Sequence, residues 1–268
     1  SFSELDMAFE ANVAGARAAT LHSAVALGPP LTATGRLELP YNAAVLPAEM
    51  ATLMDEPGTA QFAVRQEASG ALTVEQFDVR TVALTANLRG AYDAARPLAR
   101  AEGSVSVPSL AALSALAGQD LAGALDLTLD VHATADATRG DVSLTARDVA
   151  AAGVRVSLGE LALRATGDAW QGALPENLRV TGDGNLAALQ VAGQPPFEPI
   201  ALTLRAQAPN AGTIVLEALT VDDGNARLVL HGEAALDTLA GAWNLQTRVA
   251  AVEQLAGRVG ADASGSFE

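Results

Sequence analysis

The sequence predicts an all-β protein whose strands pair antiparallel and follow one another in chain order. Three observations carry this. Apolar and polar residues alternate with a period of two along most of the chain, which marks strands with one dry face and one wet face. Turn-forming clusters rich in Gly, Asp, Asn and Ser punctuate the alternation. Helical spacing is confined to two or three short segments, too few to cover a sheet of a dozen or more strands, since each makes only two or three turns. The polar spacers also exclude a parallel α/β sheet, whose doubly buried strands read as solid apolar runs.

Taken in order, Leu5, Met7, Phe9, Ala11 and Val13 share one face of a first strand, with Asp6, Glu10 and Asn12 on the other. Val82, Leu84, Ala86 and Leu88 oppose Thr85, Asn87 and Arg89. Leu125, Leu127, Leu129 and Val131 oppose Asp126, Thr128, Asp130 and His132 in the clearest case. The same rule gives strands at Val142, Leu144 and Ala146, at Val154, Val156 and Leu158, and at Leu161, Leu163 and Ala165. It extends to Leu202, Leu204 and Ala206, and to Leu245, Thr247 and Val249. Turns are expected at Ala68-Ser69-Gly70, Arg139-Gly140-Asp141, Thr181-Gly182-Asp183-Gly184 and Asp222-Asp223-Gly224-Asn225.

Short helices are expected at residues 47–54 and 109–117, each opened by a proline, with a third at Val252–Ala256. They belong on a rim or end of the sheet. Repeats follow from two comparisons. Gly35, Gly103 and Gly241 each lead toward one of these segments, which suggests units of 35–102, 103–171, 172–240 and 241–268. Phe77 through Gly90 matches Leu219 through Gly232 at an offset of 142. The whole chain, 1–268, is read as one continuous β-repeat segment of a longer protein. It shows neither a signal peptide nor a stretch long and apolar enough to span a membrane.

Composition removes many functions. Sixteen cations, all arginine, face 31 acidic residues, for a formal charge of −15, so a nucleic-acid partner is not expected. The absence of Lys excludes P-loop, Schiff-base and Ser–Lys chemistry. The absence of Cys excludes thiolate metal sites, disulfides and cysteine nucleophiles. His22, His132 and His231 stand apart on polar strand faces, without metal-ligand spacing. Gly182-Asp183-Gly184-Asn185-Leu186-Ala187 fits a dinucleotide pattern in letters alone. It runs into alternating residues rather than a helix, and reads as a hairpin turn. Asp222-Asp223-Gly224-Asn225 lacks the ligand ladder of a calcium loop. No catalytic residues, metal site or cofactor are expected, and the chain is not read as an enzyme.

What remains is the apolar face, which must be hidden by barrel closure, by a second sheet, or by curling into a trough that holds something apolar. Ten aromatics cannot supply the girdles of a membrane barrel. A closed sandwich or an adhesin-like surface domain stays open as an alternative. So does a scaffold that offers sheet edges to client strands.

Several phrases carry a family likeness. They are Gly123-Ala124-Leu125-Asp126-Leu127-Thr128-Leu129-Asp130, Ala146-Arg147-Asp148-Val149-Ala150-Ala151-Ala152-Gly153-Val154, Leu158-Gly159-Glu160-Leu161-Ala162-Leu163-Arg164-Ala165-Thr166-Gly167 and Leu228-Val229-Leu230-His231-Gly232. With the acidic, Ala-rich, Lys-free composition, they resemble the TamB-type translocation and assembly proteins of the wider AsmA-like group. The resemblance implies a long antiparallel sheet curled into an elongated apolar groove (a β-taco) with short helices at its rim. It also implies a periplasmic location in a Gram-negative envelope and a parent anchored in the inner membrane. The implied function is phospholipid transport between the two membranes, outer-membrane protein assembly, or both. An outer-membrane barrel partner would dock through parts of the parent not present here. The expected lipid-facing residues are Leu5, Met7, Phe9, Val82, Leu84, Leu88, Leu125, Leu127, Leu129, Val131, Val142, Leu144, Leu161, Leu163, Leu202 and Leu204, and the partners are phospholipid acyl chains.

Overall fold

The computed structural model describes residues 4–13, 16–39, 57–93, 95, 98–169, 177–193, 197–210, 212–235, 238 and 240–250. Among them the chain is all-β, with every strand pair antiparallel. It divides into two compact units, Ser1–Ala135 and Asp136–Glu268.

The first unit holds β1 (Glu4–Val13), β2 (Ala16–Ala26), β3 (Leu31–Leu39), β4 (Gly58–Gln66), β5 (Leu72–Arg80), β6 (Thr85–Asp93), β7 (Leu98–Val107) and β8 (Leu121–Ala133). Each strand pairs with the next in the chain, and β1 does not pair with β8, so this sheet is not closed on itself. A 3-10 turn, Leu110–Leu113, runs into the single-turn helix α1 (Ser114–Ala117). Gly118 stops α1 in the left-handed conformation (φ +65°), which glycine adopts without steric cost. The expected helix at 109–117 is therefore present, as one 3-10 turn and one α turn at the end of β7. Leu110 anchors it by burial, and the Ser114 hydroxyl accepts a hydrogen bond from the Leu121 N–H at 2.9 Å. The expected helices at 47–54 and Val252–Ala256 lie outside the described residues.

The second unit holds β9 (Thr138–Ala151), β10 (Val154–Gly167), β11 (Leu178–Ala187), β12 (Gln190–Val191), β13 (Ile200–Asn210), β14 (Thr213–Asp222), β15 (Ala226–Ala235) and β16 (Gly241–Val249). They pair in chain order, except that β12 continues the β11 register along β10, and β13 takes the far side of β11. In neither unit is a second sheet stacked on the first among the described residues.

Four local readings are corrected. Val82 and Leu84 are not strand residues: they form the β5–β6 turn, in which the Thr81 N–H donates to the Leu84 carbonyl at 2.9 Å. Arg139-Gly140-Asp141 lies inside β9 rather than in a turn. The motif of Gly182 and Gly184 lies in mid-β11, with neither glycine at positive φ. Glycine there serves close approach by neighbouring side chains, not chain reversal. The alternating run expected to continue through Leu189 breaks at Ala188 (φ +50°), which separates β11 from β12. The turns at 68–70 and 222–225 form as expected, the latter closed by Asp223 Oδ1 accepting from the Ala226 N–H at 2.7 Å.

The repeat has a structural counterpart. Adding 142 to each residue number carries the β4–β7 pairings onto those of β13–β16. Phe62 opposite Phe77 becomes Leu204 opposite Leu219, and Leu88 opposite Gly103 becomes Leu230 opposite Leu245. The irregularities move too. β5 carries one extra residue between Val74 and Phe77, and β14 one between Leu216 and Leu219, with Glu75 and Glu217 in equivalent places. A one-residue bulge of this kind shifts the side-chain alternation. Val74 and Phe77, three apart in sequence, thereby keep to one face.

Candidate functional site

Cross-strand partners share a face, so the register alone assembles the surface. In the first unit Phe9, Leu21, Leu37, Ala60, Val79, Ala86, Val105 and Leu127 line up across all eight strands. A second row runs Met7, Ser23, Gly35, Phe62, Phe77, Leu88, Gly103, Leu129. A third runs Leu5, Val25, Ala33, Val64, Val74, Gly90, Ala101, Val131. Leu125 extends the same face opposite Val107. The second unit builds its face likewise. Val142, Leu163, Gly182, Leu204, Leu219, Leu230 and Leu245 form one row, and Leu144, Leu161, Gly184, Leu202, Val221 and Leu228 the next. Of the sixteen expected surface residues, fourteen thus fall on the apolar face of their own unit, while Val82 and Leu84 sit in a turn.

None of the sixteen is buried. Phe9 remains 57% exposed and Leu5 46%. The buried apolar side chains are mostly alanines, such as Ala133, Ala206 and Ala234, with Leu110, Ile200 and Val249 the larger exceptions. The apolar faces are therefore half-wet surfaces rather than a dry core.

Glycines flatten these faces. A Cβ at Gly35 would meet the ring of Phe62, and one at Gly182 or Gly184 would meet Leu163 Cδ2 or Leu161 Cδ1. The large side chain of one strand reclines over the glycine of its neighbour. The sequence alone suggests a turn at Gly182 and Gly184. Their flanking pattern, Val180-x-Gly182-x-Gly184-x-Leu186, was the signal that they hold face positions within a strand.

A line of irregularity crosses three strands of the second unit. Asp148 in β9 and Ala188 beyond β11 both have positive φ, and both fall beside Ser157 of β10 in the register. There β10 bends sharply. The Cβ position of Gly159 lies 3.7 Å from Val156 Cγ1, where an extended strand separates residues three apart by roughly 10 Å. Beyond the bend Val149 pairs with Val156, and Val154 with both Ala151 and Val191.

The opposite faces are polar. Asn87 Nδ2 donates to Ser104 Oγ at 2.6 Å, Ser106 Oγ donates to Asp126 Oδ1 at 2.6 Å, and Arg36 pairs with Glu38 at 2.9 Å. Arg164 Nε donates to Asp141 Oδ1 at 2.8 Å, and this hydrogen bond, with the carboxylate's charge, raises the guanidinium pKa. His22 stands opposite Arg36, His132 opposite Arg100, and His231 opposite Asn244. Among the described residues no three His, Asp or Glu side chains converge as metal ligands. Two open hollows of about 700 and 390 Å³ are lined by residues of both faces: the first by His22, Thr34, Arg36 and Gln61 together with Met7 and Phe62, the second by Ser143, Glu160, Asp183 and Asn185 together with Leu144 and Leu161. No helix among the described residues is long and apolar enough to cross a membrane.

No protein-family model, curated protein or solved structure matches the chain.

Proposed function

We propose that the apolar faces form a surface along which phospholipid acyl chains lie, as part of a TamB-type, periplasmic, non-enzymatic segment that serves lipid transport or outer-membrane protein assembly. The observation that carries this reading is the set of rows across the first unit that are apolar but for Ser23, with their large side chains left half-exposed. Fully burying one leucine or phenylalanine stabilises by about 1.5–3 kcal/mol. A face holding this many uncovered apolar side chains therefore strongly favours an apolar cover. Acyl chains suit it, because each methylene taken out of water is worth about 0.8 kcal/mol and the face offers length and smoothness rather than specific polar ligands. A sheet curled toward this face would make the surface a groove.

Mass spectrometry of lipid co-extracted with the purified chain tests this, using two neighbouring substitutions on β8. Leu127→Asp places a carboxylate in the apolar row, and Thr128→Asp places one on the wet face. The expected outcome is a folded Leu127→Asp protein with depleted phospholipid and an unaffected Thr128→Asp protein. Lipid-free wild type after mild purification, or unchanged lipid in folded Leu127→Asp, would reject the reading. Unfolding by Leu127→Asp would show that the face is a packed core.

A further inference from the structure

The wet face of the second unit gathers arginine in a pattern that its apolar face does not require. Cross-strand register sets Arg164 of β10, Thr181 of β11 and Arg205 of β13 side by side in one row. The next row holds Arg139 of β9, Thr166 of β10 and Arg179 of β11. Each row contains an Arg–Thr–Arg triad, and the two triads are staggered by one strand. All four arginines and both threonines are exposed.

The chain has a charge of −15 and 16 cations in all, so four in adjacent rows reverse the local sign. In the first unit Arg17, Arg36, Arg65 and Arg100 each pair with a glutamate. In the triads Arg164 gives its Nε to Asp141, which leaves its two terminal nitrogens to donate elsewhere. Arg139, Arg179 and Arg205 have no carboxylate as ion-pair partner among the described residues.

Guanidinium forks bind phosphate and carboxylate alike. The threonines favour phosphate, whose three strong acceptor oxygens can take a hydroxyl as well as the two forks that flank it. A phosphate group also carries roughly −1.5 to −2 charges at pH 7, which suits a pair of arginines. The triad centres, Thr166 and Thr181, are diagonal neighbours on β10 and β11, about 7–8 Å apart. Two phosphates at that spacing on one molecule would fill both triads. Asp183, two residues beyond Thr181, and Asp168, two beyond Thr166, border the cluster, so an extended anionic surface is repelled where a small ligand is not. No aromatic side chain stands in either triad to stack a base, and no apolar row lies beside them to cover an acyl chain.

We propose that the two triads bind a water-soluble molecule bearing two phosphate groups. One phosphate sits over Thr166 between Arg139 and Arg179, the other over Thr181 between Arg164 and Arg205. The site is independent of what lies on the apolar face.

Isothermal titration calorimetry of the full chain with propane-1,3-diol bisphosphate, compared with inorganic phosphate, tests this. The second phosphate of a bound bisphosphate makes an intramolecular contact, so the bisphosphate should bind roughly tenfold or more tightly, and less so as salt is raised. Arg139→Gln and Arg205→Gln, one in each triad, should leave thermal unfolding unchanged and bring the bisphosphate down to the affinity of inorganic phosphate. Arg227→Gln, on β15 outside the triads, should bind as wild type does. Equal affinity for the two ligands, or unchanged binding by folded Arg139→Gln and Arg205→Gln, would overturn the proposal. Tighter binding of an aspartate-rich peptide, lost in the same two variants, would overturn it in favour of an acidic protein segment. Binding only to vesicles that carry a bisphosphorylated lipid would overturn it in favour of a membrane surface.

Discussion

At the residue scale, the glycines of the apolar faces separate two kinds of crowding. A Cβ at Gly90 would lie 2.7 Å from the Arg100 carbonyl oxygen, a backbone atom of the paired strand that cannot rotate away. Gly90→Ala should therefore lower stability by about 1–3 kcal/mol, as overpacking does, measured by urea unfolding. At Gly182 the nearest obstacle is the tip of Leu163, 2.5 Å from the added Cβ, and that tip can swing aside. Gly182→Ala should cost less, and Leu163→Val should relieve most of what it costs. Gly28, with nothing within 4 Å and an ordinary φ, is the neutral control. The Arg164–Asp141 pair makes a different forecast. Its raised guanidinium pKa gives a contribution fully present below the unfolded-state value and lost only as pH rises through the folded value, far into the alkaline range. Thermal stability compared between Arg164→Gln and wild type should differ by the same small amount at pH 6 and pH 9.

At the element scale, the bulges on β5 and β14 are the devices that keep an apolar face apolar. Deleting Glu75 should throw Phe77 and Val79, or else Leu72 and Val74, onto the wet face. The expected result is unfolding of the first unit by circular dichroism, whereas Glu75→Ala, which keeps the extra residue, should unfold within about 1 kcal/mol of wild type. Deleting Glu217 should act in the same way on the second unit. The sequence made the strands legible wherever alternation was strict, as from Leu125 to Val131 and from Leu202 to Ala206. It misled where glycine had two meanings. Gly224 and Gly70 do turn the chain at positive φ, but Gly182 and Gly184 make room under leucines, and composition alone does not distinguish the two. The 142-residue match between Phe77–Gly90 and Leu219–Gly232 was readable as letters. Its physical content, a shared bulge, was hidden in the change of parity at Val74-Glu75-Gln76-Phe77. That the apolar residues would stay half-wet was not legible at all, because alternation gives a face and not what covers it.

At the scale of the whole molecule, chain-order pairing has a consequence for kinetics and mechanics. Strands in either unit pair with near neighbours in the chain, so the loops to be closed on folding are local, the longer ones running from Leu39 to Gly58 and from Val107 to Leu121, and formation can proceed by adding hairpin to hairpin at low entropic cost. Dissolution runs the same way in reverse. With no second layer among the described residues to lock distant strands together, stability approximates a sum over neighbouring pairs, as in solenoid arrays, and loss begins at terminal strands. Heating should then give a calorimetric enthalpy larger than the van 't Hoff value, the signature of a transition that is not all-or-none. Amide exchange should be slowest in the middle of each sheet and fastest at β1 and β16. Pulled by its ends, such a chain would yield as a zipper does, tooth by tooth at modest force, rather than rupture as a single body.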